Sequence, residues 1–312
     1  MTLFREPLLP RELFEISDLI VDYDIETLSR RPVRRDDVVQ KLRANGQNGA
    51  ARLVSKLKTH NGILDEATCD AILLRAHAEL QRLNEEFLQV DRVRALLVPL
   101  LKALRGLNVP RPYRIVEVGC GLGYLTRALS VQGRLGRDVQ FVGCDMNRAL
   151  VDKASALAEE ESLSCELMVA NAFTLSQPAH VYVSSGVVHH FRGSALEAFF
   201  AGQKNARGFL HFDMQYSKLS PIGSWIFHQA RMREPLARHD GVVSAARAHS
   251  TETMLAASRK ALGFTCAGFD QATSFASVLV RPMHAVVGTR PELWSPFVDA
   301  LGPLRERLGD GR

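Results

Sequence analysis

The sequence predicts an α/β fold, with a helical region over residues 1–110 and a sheet domain over residues 111–312. Three observations lead to this prediction. An apolar run at 115–118 ends in closely spaced glycines, and a second apolar run at 139–144 ends in an acid. Before both runs, apolar residues recur at helical spacing. Strand-like runs that alternate with helical segments are typical of α/β proteins.

The N-terminal region contains one strongly periodic segment. From Asp65 onward, apolar residues recur every three or four positions, which predicts a long helix with Asp65 as its N-cap. A further helix is expected at about 93–104, kinked or restarted at Pro99 and ending at Gly106. The periodic residues favour packing against neighbouring helices, and a dimerisation seam is the alternative. They are Leu73, Ala76, Leu80, Leu83, Phe87 and Val90.

The most informative stretch is 113–123, which reads YRIVEVGCGLG. Its apolar run leads into Glu117 and then into three glycines spaced by two, Gly119, Gly121 and Gly123. Glycines at the end of a strand let backbone N–H groups approach a ligand, because no Cβ intervenes. The G-x-G-x-G spacing differs from the G-x-G-x-x-G fingerprint of dinucleotide sites. A plain tight turn is the alternative interpretation.

A second acid lies at the separation that a ribose site requires. Asp145 follows Gly123 by 22 positions, which leaves room for one helix, at about 122–132, and a return strand. One carboxylate accepts hydrogen bonds from both ribose hydroxyls. A helix N-cap is a second and compatible role for Asp145, because the residues from Asn147 onward look helical.

With two further segments, the pattern resembles the class I S-adenosylmethionine-dependent methyltransferases, in particular the branch that acts on small molecules. Asn171-Ala172-Phe173 follows a predicted strand, at a point where the family often has an Asp that meets the adenine amino group. The Asn carbonyl oxygen can accept the same hydrogen bond. The run VYVSSGVVHHF at 181–191 is similar to the family's fourth strand and the turn after it, with His180 in place of a common acid.

The resemblance implies a Rossmann-like, seven-stranded methyltransferase sheet, mostly parallel with an antiparallel last strand. Its fifth strand is expected at 209–214 and the closing pair at 264–269 and 277–287. The implied cofactor is S-adenosyl-L-methionine. The residues expected to bind it are Glu117, Gly119, Cys120, Gly121, Gly123, Asp145, Met146, Asn171, Ala172, Phe173 and Ser184.

The resemblance also implies methyl transfer to a small, aromatic or apolar metabolite, as in secondary metabolism. An insert at about 215–263 would shape the substrate pocket, and residues 1–110 would supply lid, substrate or dimer contacts. Aromatic side chains of the insert would clasp the substrate, and its arginines would hold a carboxylate or phenolate. These residues are Trp225, Phe227, Arg231, Arg233 and Arg238.

Four histidines are candidates for removing a proton from the acceptor, since a His with a pKa near 7 suits that task. The favoured catalytic residues are His190, just past the fourth strand, and His239, which Asp240 would orient. His189 and His211 are weaker candidates. A structural role is the alternative for each, and catalysis by proximity alone is a further alternative.

Composition limits the partners. The net charge is +5, without a concentrated basic arm or an RNA-binding module, and 184–187 read SSGV where amino-methylating enzymes carry Asn/Asp-Pro-Pro-Tyr/Phe. A small-molecule substrate is therefore favoured over nucleic acid. A methyltransferase acting on RNA or protein, and a catalytically silent partner of the same fold, are the alternatives. A homodimer through the N-terminal helices is a further expectation.

The cysteines and the apolar segments limit the compartment. The five cysteines are scattered and lack a C-x-x-C pair, which predicts neither a disulfide framework nor a metal site. No apolar stretch reaches about 18 residues, and the N-terminus lacks the apolar core of a signal peptide. A cytoplasmic protein without membrane contact is expected.

Overall fold

The computed structural model describes residues 12–131, 135–217, 219–269 and 283–309. The first of these ranges opens with five helices and one short two-stranded sheet. These elements are α1 (Ile16–Ile20), α2 (Arg35–Ala44), α3 (Asn48–Val54), β1 (Thr59–His60), β2 (Ile63–Leu64), α4 (Glu66–Glu86) and α5 (Gln89–Gly106). None of the helices in this described part of the chain is long and apolar enough to cross a lipid bilayer.

The predicted start of α4 is confirmed, because the Asp65 carboxylate accepts a hydrogen bond from the Thr68 N–H over 2.9 Å. The apolar stripe, by contrast, belongs to two helices. Leu88, with a positive φ of 53°, separates α4 from α5, so Val90 lies on the second helix. α5 continues through Pro99 and ends at Gly106 as predicted.

The sheet domain is built on one eight-stranded sheet, whose central strands are buried along their length. The strands in chain order are β3 (Tyr113–Val118), β4 (Val139–Asp145), β5 (Glu166–Val169), β6 (Val181–Ser185), β7 (Gly208–Met214), β8 (Thr265–Phe269), β9 (Met283–Thr289) and β10 (Leu308–Gly309). Their order across the sheet is β10-β8-β9-β7-β6-β3-β4-β5.

The pairing confirms the fold expected from the resemblance. The five strands from β3 to β7 are parallel to one another. β9, the seventh strand of this sheet in chain order, runs antiparallel to both of its neighbours, β7 and β8. The two-residue strand β10 adds an eighth, antiparallel edge that the sequence did not indicate. Of the predicted closing strand at 277–287, residues 277–282 lie outside the described residues.

Within the described residues, seven further helices connect the strands. They are α6 (Tyr124–Ser130), α7 (Arg148–Glu160), α8 (Ser194–Ala201), α9 (Ser220–Arg231), α10 (Pro235–Arg247), α11 (Thr251–Leu262) and α12 (Pro291–Leu301). The insert predicted between the fifth and sixth strands therefore folds into three helices, α9 to α11.

The hydrophobic cores show how the two parts of the chain combine. α5 packs with α12 against one face of the sheet, so this helix belongs to the sheet core although it precedes residue 110. A separate apolar cluster joins α1 to α4 with Met232, Leu236 and Ala237 of the insert. α1 to α4 together with α9 and α10 form a unit that we call the helical cap.

Candidate functional site

A cavity of about 2100 Å³ lies between the carboxyl ends of the parallel strands and the helical cap. Its floor comes from residues at or just after the ends of β3, β4, β5, β6 and β7, and its walls come from α1, α4, α9 and α10. In open α/β sheets, ligands bind outside the carboxyl ends of the strands. The cavity is larger than the roughly 300–1,000 Å³ of ordinary ligand sites.

The glycine loop follows β3 at the base of the cavity. Gly119, Gly121 and Gly123 have φ values of +65°, +53° and +68°. Residues that carry a Cβ rarely adopt this backbone conformation. Gly119 lines the cavity, whereas Gly121, Gly123 and Cys120 lie outside its lining. A Cβ on Gly121 would lie 2.7 Å from Nδ1 of His77, so the cap helix α4 packs directly on the loop.

Asp145 ends β4 and lines the cavity beside this loop. Its Oδ2 accepts a hydrogen bond from the Gly121 N–H, and its Oδ1 accepts one from the Asn147 N–H, both over 2.9 Å. A carboxylate has about four acceptor positions, so capacity remains for ribose hydroxyls. The N-cap of α7 is Asn147, which accepts from the Leu150 N–H, so Asp145 is not the cap.

Residues expected around the adenine form one wall. Met146, Asn171, Ala172 and Phe173 line the cavity. Within its turn, Asn171 Oδ1 already accepts a hydrogen bond from the Phe173 N–H over 3.1 Å. Phe173 packs against Tyr182, with ring centroids 5.5 Å apart. The wall is thus mainly apolar, with one amide at its edge.

Two further expected cofactor residues, Glu117 and Ser184, also lie outside the cavity lining. Glu117 is buried beneath the loop, where Oε2 accepts from the N–H and Oγ1 of Thr126, and burial raises its pKa to about 7. It therefore holds the first turn of α6. The Ser184 hydroxyl lies 2.8 Å from His211 Nδ1 in the core, and Ser185 lines the cavity instead, because side chains alternate along a strand.

His239 also lies outside the cavity lining, whereas a general base would have to face the cavity. Its Nδ1 lies 2.8 Å from Asp240 Oδ1, so Asp240 orients the ring as predicted, but its Nε2 faces Gln47 of the cap at 3.1 Å. Asp240 also accepts hydrogen bonds from the backbone N–H groups of Ile16 and Ser17. This pair therefore fastens α1 to α10.

His211 is a core residue. It is fully buried and stacks on Phe209 with ring centroids 5.0 Å apart. Burial lowers its pKa to about 3, so the ring is neutral at physiological pH.

His189 and His190 line the cavity and lie side by side, with ring centroids 4.4 Å apart. His189 is buried between Asp213, 2.8 Å from Nδ1, and Glu15, 3.4 Å from Nε2. Burial alone would lower the pKa of His189, but the Asp213 and Glu15 carboxylates together outweigh it and raise the pKa to about 10. The His190 side chain is 30% exposed, and its Nδ1 lies 3.0 Å from Asp18.

Several of these partners were missed by sequence reasoning. Asp213 carried a usable signal, because it is an acid near the carboxyl end of a predicted strand. His77 did as well, because it interrupts the apolar stripe of α4 between Leu73 and Leu80. Glu15 and Asp18 carried none, since they reach His189 and His190 only through the docking of α1.

The insert contributes less charge to the cavity than expected. Phe227 lines it, whereas Trp225 points outward and is 56% exposed. Arg231 lies at the rim and pairs with Glu86 of α4. Arg233 and Arg238 lie outside the lining, and Arg238 donates to the backbone oxygen of Met232.

A family model described as a methyltransferase domain matches residues 115–206, which contain the glycine loop, Asp145 and Asn171. The match identifies this segment as a methyltransferase domain, and the sheet around it is consistent with the fold of class I S-adenosylmethionine-dependent methyltransferases. S-adenosyl-L-methionine is the cofactor expected for such a domain. No curated protein matches the chain in sequence.

Solved structures of similar fold include a plantazolicin methyltransferase in complex with SAH, with 12% identity, 70% of this chain and 96% of that chain covered, and a TM-score of 0.46. Magnesium protoporphyrin IX methyltransferase from Synechocystis PCC 6803 is 15% identical, with 82% of this chain and 99% of that chain covered, and a TM-score of 0.42. A SAM-dependent methyltransferase from Aquifex aeolicus is 13% identical, with 65% of this chain and 97% of that chain covered, and a TM-score of 0.40. Likeness at this level leaves the substrate open.

The residues at the cavity fit the cofactor of this class. Asp145 offers free acceptor capacity for ribose hydroxyls, and Gly119 brings backbone to the surface without a side chain. Met146 and Phe173 supply apolar surface for a base. Hydroxyl acceptors, exposed backbone and apolar walls thus occur together on the strand ends, as a nucleoside ligand requires.

Proposed function

We propose that this protein transfers a methyl group to a small, apolar or aromatic acceptor that binds under the helical cap. One observation carries the proposal: a single cavity runs from the strand ends at Gly119 and Asp145 to His190 and the apolar inner face of the cap. Cofactor and acceptor would therefore lie in the same cavity. Its volume exceeds that of an ordinary single-ligand site.

The lining beyond the strand ends supports an apolar acceptor. α4 contributes Leu73, Leu80 and Leu83, and the insert contributes Ile226 and Phe227. Such surface favours apolar ligands by roughly 25 cal/mol for each Å² removed from water. The arginine at the rim, Arg231, is already paired with Glu86. A carboxylate held by several arginines is therefore not part of this proposal.

When bound, the cofactor supplies a methyl group on a sulfonium, which is already activated for transfer. The chain's own task is to hold the acceptor's nucleophilic atom in line, about 3 to 3.5 Å from that methyl group, and to exclude water. We assign contact with the acceptor to His190, since its imidazole is partly exposed in the cavity. His239 receives no catalytic role here.

The cap would choose the acceptor. α9 and α10 belong to the insert expected to shape the substrate, and both line the cavity together with α1 and α4. The exposed apolar side chains of Leu219, just before α9, and of Ile222 and Ile226 on α9 line it. They would cover the acceptor when it binds.

A methyl-transfer screen tests this function. The purified protein would be incubated with isotopically methyl-labelled S-adenosylmethionine and a panel of aromatic and apolar metabolites, with the label followed by mass spectrometry. Label is expected in at least one small acceptor and not in RNA or bulk protein. Asp145→Ala should lower the transfer, and Asp152→Ala, at an exposed acid on α7, should not. Transfer only to macromolecules would contradict the proposal.

A further inference from the structure

Two histidines of the cavity direct the same ring atom at one carboxylate. His189 Nε2 lies 3.4 Å from Glu15 Oε1, and His190 Nε2 lies 3.8 Å from Glu15 Oε2. One ligand atom from each residue can be chosen so that all three lie within 4.8 Å of one another. Donor atoms around a four-coordinate Zn²⁺ are about 3.3 Å apart, given bond lengths near 2.0 to 2.2 Å.

The far side of each ring is held by another carboxylate. Asp213 lies 2.8 Å from Nδ1 of His189, and Asp18 lies 3.0 Å from Nδ1 of His190. Histidine ligands of metals almost always donate the other ring N–H to a carboxylate, a carbonyl or water, which fixes the tautomer and aims the free nitrogen. Both imidazoles here have that arrangement.

The charges around the cluster favour a cation. Glu15, Asp18 and Asp213 contribute three carboxylates, whereas the guanidinium of Arg247, 2.9 Å from Asp18, contributes one positive charge. His189, whose pKa is raised, releases its second ring proton to solvent when a metal ion binds Nε2; with both imidazoles then neutral, the group carries an excess of two negative charges. The charge of a divalent ion would balance it.

The location leaves room for further ligands. Glu15, His189 and His190 all line the cavity, and the His190 side chain is 30% exposed there. Three protein ligands with an open position are typical of catalytic metal sites, whereas structural sites have four. Two imidazoles and one carboxylate suit Zn²⁺, Fe²⁺, Co²⁺ or Ni²⁺ better than Mg²⁺ or Ca²⁺.

We propose that Glu15, His189 and His190 form a site for a divalent transition-metal cation, with Asp213 and Asp18 as positioning residues for the two imidazoles. Only the cation's role rests on the proposed function. In that role, the open coordination position of the cation would face the acceptor and bind an oxygen or nitrogen atom of the acceptor. The binding itself does not depend on that function.

Cobalt(II) titration of the purified full-length protein, after treatment with a chelator, tests the site. One Co²⁺ per chain is expected, with visible absorption bands from nitrogen and oxygen ligands, and Zn²⁺ should displace it. Neither S-adenosylmethionine nor an acceptor is present in this measurement. Its failure is therefore distinguishable from failure of methyl transfer.

Variants locate the cation. Glu15→Gln and His190→Ala should each weaken Co²⁺ binding at least 10-fold, and Asp18→Asn by about 10- to 100-fold, the range for residues that orient a ligand. His60→Ala is the matched control, because His60 also faces a carboxylate, Asp65 at 3.2 Å, but on the exposed surface. It should bind Co²⁺ like the wild type.

Folding is checked separately, because Glu15 and His189 are buried. Far-UV circular dichroism and unchanged binding of S-adenosylhomocysteine would show that a variant is folded. His190→Ala is the mildest test, since its side chain is partly exposed. An absence of Co²⁺ binding, or equal binding by the folded variants, would overturn the site and leave the cluster as an ion-pair network only.

Discussion

Asp145 Oδ2 accepts a hydrogen bond from the backbone N–H of Gly121 over 2.9 Å. The end of β4 is thereby tied to the glycine loop after β3. The same carboxylate is the expected partner of the ribose, so loop geometry and cofactor binding depend on one side chain. The cap joins this arrangement through His77, which packs on Gly121.

Asp145→Ala should weaken binding of S-adenosylhomocysteine by roughly 1.5 to 3 kcal/mol, the range for losing hydrogen bonds to a charged group. Isothermal titration calorimetry measures the change. Asn171→Ala should cost less, because the Asn171 oxygen is already engaged by the Phe173 N–H. A larger loss for Asn171→Ala would show that the base is held at Asn171 and that Asp145 only supports the loop.

Gly121→Ala should destabilise the protein by roughly 1 to 3 kcal/mol, from the positive φ and from contact with His77. Urea denaturation measures this cost. The second substitution His77→Ala should recover part of it, because it removes the clash but not the backbone strain. Gly223→Ala is the control, since a Cβ there meets nothing within 4 Å and its helical backbone accepts alanine. Complete recovery in the double variant would exclude strain at Gly121.

Glu117 should make stability fall as the pH rises from about 4.5 to about 7. Burial raises its folded-state pKa to about 7 from an ordinary 4.5, so in this window the folded chain binds more protons than the unfolded chain. The loss is roughly 3 kcal/mol at most, and it is complete above pH 7. Glu117→Gln keeps an acceptor for Thr126 and should remove this part of the pH dependence in urea denaturation.

The matched control for this measurement is Glu160→Gln, at an exposed acid that ends α7. It should show the pH dependence of the wild type. Equal slopes for Glu117→Gln and the wild type between pH 4.5 and 7 would mean that Glu117 is ionised without penalty in the folded protein.

His190→Ala should lower methyl transfer by roughly 10²- to 10⁴-fold, with binding of S-adenosylhomocysteine unchanged. That loss is expected whether the imidazole contacts the acceptor directly or holds a cation that does. His239→Ala should leave turnover near the wild-type value, because its ring faces Gln47 outside the cavity. A larger loss for His239→Ala would restore the base role that the sequence suggested.

Much of the fold was predictable because its signals are local. The glycine loop, the acid at the end of β4 and the polar turn after β6 each depend on residues within one strand and its turn. The split of the apolar stripe at Leu88 was not predictable in this way, because both sides of the break have helical periodicity. The eighth strand was also missed, since a two-residue edge strand has no pattern of its own.

The sequence by itself determined where the main strands lie along the chain and where the glycine loop follows them, since these depend on strand patterns, glycine spacing and one acid at a set distance. Only the tertiary structure decided which imidazoles meet the cavity. Asp18 and His190 lie 172 residues apart, and they meet because α1 docks on α10. That docking also brings Glu15 to His189, where the sequence indicated no metal ligands. Contacts between distant segments depend on how whole helices pack, and no local pattern encodes them.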